Sequence, residues 1–153
     1  MDDKTTKLIN DIYDAFKSLT KLEKHNQFKN LMISLFNDFN EHLLDDDKTG
    51  KVLINILHVI FALRLECLNE TIFDDLIDEL FGDVYKYDDF KEQTLKIASN
   101  DDYLKTFASN LTEINNSSKI KILKILVCII TYDNESTIIT KASYLGFAYS
   151  IIK

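Results

Sequence analysis

The residues best placed by type and spacing to do chemistry form the run Asp45-Asp46-Asp47-Lys48-Thr49-Gly50-Lys51-Val52. Oxygen ligands at alternate positions, here Asp45, Asp47 and Thr49, followed by a glycine at the turn, are how a helix-loop-helix site begins to wrap a calcium ion. That site closes with a bidentate Glu at its twelfth position, which in this chain is Ile56, already inside an apolar run. A helix start capped by Asp46 or Asp47 accounts for the same residues without a metal. His25, His42 and His58 have no His or Cys three or four residues away, so no helical pair of metal ligands forms. His58 lies in an apolar run and reads as a core or boundary side chain with one hydrogen bond, whereas His25 and His42 read as solvent-facing. Cys67 and Cys128 each stand alone among apolar residues and read as buried free thiols. No Gly-rich phosphate loop, nucleophile elbow, HExxH or Cys-x-x-Cys occurs. With 25 Asp and Glu, some carboxylate pair is always available as acid and base, so such a pair is uninformative. The chain therefore carries no sequence mark of an enzyme, a metal site or a cofactor.

Charge is the more informative feature. Residues 1–44 hold six Lys/Arg and seven Asp/Glu, residues 45–102 hold six and fifteen, and residues 103–153 hold six and three. The segments thus carry -1, -9 and +3, within a total of -7. The acidic middle concentrates in Glu70, Asp74, Asp75, Asp78, Glu79, Asp83, Asp88 and Asp89, with Glu92 just beyond. On a helix, Asp74 and Asp78 share a face at i,i+4, as do Asp75 and Glu79, and each like-charge pair costs a few tenths of a kcal/mol. A basic partner would relieve that repulsion, and these carboxylates are the candidate partner-binding residues. A field of this sign repels nucleic acid and anionic membrane and steers basic proteins toward it. A solvated face that only keeps the chain soluble accounts for the same residues. The interspersed Phe73, Phe81, Tyr85 and Tyr87 suit an interface or a core equally.

These residues have to be positioned by helices. The chain has no proline and only three glycines, which removes the usual punctuation of β-rich folds. Leu8, Ile9, Ile12, Tyr13 and Phe16 recur at spacings of three and four over 6–18. Residues 21–44 repeat the pattern with Phe28, Leu31, Met32, Leu35, Phe36, Phe39 and Leu43, which leaves Lys24, Lys29, Asn30, Asp38 and Glu41 pointing away. Val52–Leu68 and Ile120–Ile130 are apolar on almost every side and predict two enclosed helices, the second with Ser117 and Ser118 as cap candidates. A helix capped by Asn69 and closed by Gly82, weaker helices over 88–98 and 101–114, and a last one over about 136–152 complete the series. That last helix shows Ile138, Ala142, Leu145, Tyr149 and Ile152 on one face. No Pro/Gly/Ser-rich linker interrupts the order. The expectation is one all-α domain, 1–153, a bundle of seven or eight helices around two buried apolar helices.

At 153 residues with 46% hydrophobic content, the chain can bury a full core without disulfides or metal. The opening residues, Met1-Asp2-Asp3-Lys4-Thr5-Thr6, have no basic n-region or apolar h-region, so no secretory leader is expected. Neither apolar run is long or clean enough to span a bilayer. A soluble, cytoplasmic protein follows as the expectation.

Two resemblances bear on function. Ile122-Leu123-Lys124-Ile125-Leu126, leading to Tyr132-Asp133-Asn134-Glu135 and a helix through Leu145 and Phe147, resembles the tellurite-resistance TerB-like helical fold. That likeness implies a stress protein with Asp133 and Glu135 near a divalent metal; Asn134 replaces the family's Gly, and Thr140 its later acidic residue. In overall character, small and acidic, the chain is similar to bacterial immunity proteins, which bind and inhibit cognate toxins, often nucleases. The leading expectation is a non-enzymatic protein that neutralises a basic partner, a cognate toxin, with no nucleic acid or membrane partner. The alternatives are a TerB-like metal-binding stress protein and a phage-encoded acidic inhibitor of a host defence protein.

Overall fold

The structure, a computed structural model, describes residues 3–39, 56, 58, 60, 75, 78, 79, 92, 96, 111, 114–132 and 141–152. Four helices are continuous within this set: α1 (Asp3–Lys17), α2 (Lys21–Phe39), α3 (Asn116–Ile130) and α4 (Lys141–Ile151). Among the described residues the chain is helical with no strand, so the all-α class holds. The count of seven or eight helices and the cap at Asp46 or Asp47 lie outside the described residues. Of the expected helix over 88–98 only Glu92 and Lys96 are described, and both are helical. Of the one expected over 101–114 only Leu111 and Ile114 are described; they lie in a turn and a bend, not a helix, because the chain turns there into the Asn115 cap of α3.

α1 begins with Asp3 in its first turn and ends with Lys17 in its last, the charge order that complements a helix dipole. Its stripe buries Ile9, Ile12 and Tyr13 and half-buries Phe16, while Leu8, expected on the same stripe, remains exposed. A three-residue link leads to α2, where Thr20 and Glu23 cap reciprocally. The Thr20 backbone N–H donates to Glu23 Oε1 at 3.0 Å, and the Glu23 N–H donates to Thr20 Oγ1 at 3.1 Å. This is the Thr-x-x-Glu capping box, and it satisfies two helix-end donors with two side chains. The Glu23 carboxyl is held below its usual pKa by these bonds. α2 then buries Phe28, Met32 and Leu35.

α3 is the centre of the described core. From Ile125 to Tyr132 every residue is buried, and α1, α2 and α4 all pack against this helix. An apolar run with no polar face has no side to give to water, which is why it ends in the middle. Its cap is Asn115, two and three residues before the serines expected in that role. The Asn115 side chain accepts from the Ser118 N–H at 2.9 Å, and Ser118 is itself buried inside the first turn. Losing such a cap costs about 1 kcal/mol. At the other end the Thr131 hydroxyl donates to the Val127 carbonyl at 2.7 Å.

α4 buries Tyr144, Phe147, Ala148 and Ile151, with Ile152 just past its end, and half-buries Leu145 and Tyr149. The buried stripe is therefore turned by about one position from the expected Leu145/Tyr149/Ile152 face, because Tyr144 enters the core and sets its ring 5.3 Å from that of Tyr13. Ile56, His58 and Ile60 are helical and buried. The rest of the expected enclosed helix, Val52–Leu68, lies outside the described residues. No helix among the described residues is long and apolar enough to cross a membrane.

Candidate protein-binding site

Of the eight candidate partner-binding residues, Asp75, Asp78 and Glu79 are described; Glu70, Asp74, Asp83, Asp88 and Asp89 lie outside the described residues. All three are helical and exposed, and so is Glu92. Spacings of three and four are those that share one side of a helix. None of the four carboxylates is in an ion pair or hydrogen bond among the described residues. Three negative charges are thus presented to solvent, and their attraction for cations reaches roughly 10 Å at 0.1 M salt.

The interior titratable groups behave differently. Burial pushes the Cys128 thiol up to about 12, which leaves it a small hydrophobe with no thiolate chemistry at neutral pH. Burial lowers the His58 imidazole to about 4 and keeps it neutral. His25, expected in solvent, is half-buried. Among the described residues no three His, Cys, Asp or Glu side chains gather where they could hold a metal ion. The calcium-like run 45–52 and the turn residues Asp133 and Glu135 lie outside the described residues.

The Tyr144 hydroxyl is buried without a hydrogen-bond partner among the described residues, and desolvation, with Tyr13 adding to it, raises its pKa. A phenylalanine has the same shape without the unmet polar group. Tyr144→Phe should therefore stabilise the chain by about 1 kcal/mol in urea unfolding. A loss of stability would instead show that the hydroxyl is hydrogen-bonded in solution.

Lysines form a second cluster, at the corner where α1 ends, α2 begins and α3 ends. Lys24, expected to point outward, is buried there, and its ammonium donates to the Thr131 carbonyl. Its long stem crosses the apolar contact between α2 and α3 and delivers the charge to a helix-end carbonyl that lacks an intrahelical partner. Burial, together with nearby Lys21 and Lys17, lowers its pKa. Lys17 stands 5.9 Å from the Tyr13 ring centre, Lys21 5.2 Å from that of Tyr132, and Lys124 6.0 Å from that of Phe16. Each is within cation–π range. Sequence periodicity did not place this cluster; the lysine spacing 17, 21, 24 was its only local signal.

At the far end of α2, Asp38 accepts from the Ser118 hydroxyl at 3.0 Å and pairs with Lys121 at 2.8 Å. This half-exposed pair pins α2 to α3 but contributes at most about 1 kcal/mol. Comparison with protein-family models, with curated proteins and with solved structures gives no match to this chain.

Proposed function

We propose that this chain is a non-enzymatic binding protein that neutralises a basic partner, acting as an immunity protein toward a cognate bacterial nuclease toxin. The observation that carries this reading is the exposed set Asp75, Asp78 and Glu79, unpaired among the described residues, within a segment of fifteen acidic and six basic residues. A nuclease cleft is cationic because it holds phosphate. Carboxylates spaced along a helix can occupy such a cleft and be steered into it. Unsatisfied like charges on one face repel in the free chain, and complex formation relieves that cost.

The test is affinity capture from the source cells, with the captured protein then assayed for nuclease activity in the presence and absence of the chain. Binding should be strong at about 50 mM salt and weak at about 500 mM, as screening shortens the reach of the field. The triple variant Asp75→Lys, Asp78→Lys, Glu79→Lys should bind at least tenfold more weakly while its helical circular-dichroism signal persists. Unchanged affinity in that variant, or a captured partner with no cationic surface, would remove the reading.

A further inference from the structure

We infer that the lysine corner formed by α1, α2 and α3 is itself a docking surface, and that its occupant is the acidic helix of a second copy of this chain. The corner concentrates cations in a protein of net charge -7. Lys24 has Lys21 and Lys17 close enough to disfavour its own charge, so like charges are gathered there against their mutual repulsion. Lys17 and Lys124 stand over ring faces, 5.9 and 6.0 Å from their centres, and neither meets a carboxylate among the described residues.

The complementary surface is on the same chain. Asp75, Asp78 and Glu79 are exposed and, among the described residues, unpaired, and they match an array of ammonium groups in sign and in closeness along the chain. Net repulsion between two acidic molecules acts over long distances and is screened at moderate salt. Contact pairs between the lysine corner and the acidic helix act at short range and survive it. Pairing of corner with helix therefore associates two copies without any apolar interface. It also covers the carboxylates invoked above, so a basic partner has to displace the second copy to reach them. The inference uses that same acidic helix, but its test needs no toxin.

Sedimentation velocity over a concentration series decides it. The wild-type chain should self-associate at about 0.1 M salt and become monomeric near 1 M, where the Debye length falls to about 3 Å. One variant, Lys17→Glu with Lys124→Glu, and another, Asp75→Lys with Asp78→Lys, should each associate at least tenfold more weakly than wild type. An equimolar mixture of the two should associate again, because each then offers the charge the other lacks. Circular dichroism checks that both remain helical, and Lys17→Gln with Lys124→Gln replaces the first variant if it does not fold. A monomeric wild type at all concentrations, or a mixture that stays monomeric, would overturn the inference. If the corner proves inert while toxin binding still depends on Asp75, Asp78 and Glu79, the immunity reading stands alone.

Discussion

Replacing Lys24 with alanine will lower the stability of the folded chain by about 3 kcal/mol, a large share of what a domain of this size has to lose. The side chain is 3% exposed, and its ammonium donates to the Thr131 carbonyl, 107 residues away in sequence. Hydrogen bonds to charged groups contribute roughly 1.5–3 kcal/mol, and each buried methylene of the stem roughly 0.8 kcal/mol. Against these stands the cost of burying an ammonium, which the lowered pKa of Lys24 records. Lys24→Met separates the two contributions, because it keeps the apolar stem and removes both the charge and the bond. Its loss should be about half that of the alanine variant, since the Thr131 carbonyl loses its donor while the ammonium no longer has to be desolvated. Urea unfolding of the three proteins measures this directly. If Lys24→Ala changes stability by less than about 1 kcal/mol, the clip between α2 and the end of α3 contributes little in solution.

Acidification to pH 5 will remove about 2 kcal/mol of stability through His58 alone. The imidazole is 8% exposed, and burial lowers its pKa from 6.5 to about 4. The folded state therefore binds this proton less readily than the unfolded chain does. Its contribution is complete above pH 6.5 and is lost progressively as pH falls through the window toward 4, to a limit of about 3 kcal/mol. Carboxylates begin to titrate at the lower end of that range, so the diagnostic interval is pH 6.5 to 5. Unfolding free energies for wild type and His58→Gln, compared across that interval, isolate the histidine. The wild-type curve should fall and the variant curve should stay nearly flat. An NMR titration that finds the His58 ring gaining its proton near pH 6.5 would contradict its enclosure.

Both predictions concern groups that local pattern reads only in part. His58 was legible as an interior side chain because it interrupts an otherwise apolar run, and its burial at 8% agrees. Lys24 was not legible, because it lies between the stripes of an amphipathic helix and its length allows either solvent or the far side of a packed contact. The choice was made by Thr131, whose free carbonyl is brought beside it only when α2 lies against α3.

Helical class, the apolar stripes of α1 and α2, and the enclosure of α3 follow from composition and spacing alone. A run such as Ile122 to Ile130 admits no amphipathic solution, and Ile9, Ile12 and Tyr13 admit one face. The acidic zone is a property of the sequence as well, since charge can be summed without a fold. The exposure of Asp75, Asp78 and Glu79 is a property of the structure. Tertiary packing also decided between near-equal local choices. Asn115, Ser117 and Ser118 are all good caps, and the first was selected because the core draws in Ser118. α4 offers two overlapping apolar stripes, and the one containing Tyr144 was selected because Tyr13 waits opposite it. The lysine corner has the same origin: periodicity reports only neighbours within a few turns, whereas Lys17, Lys21 and Lys24 meet the end of α3 because three helices end or begin at one place.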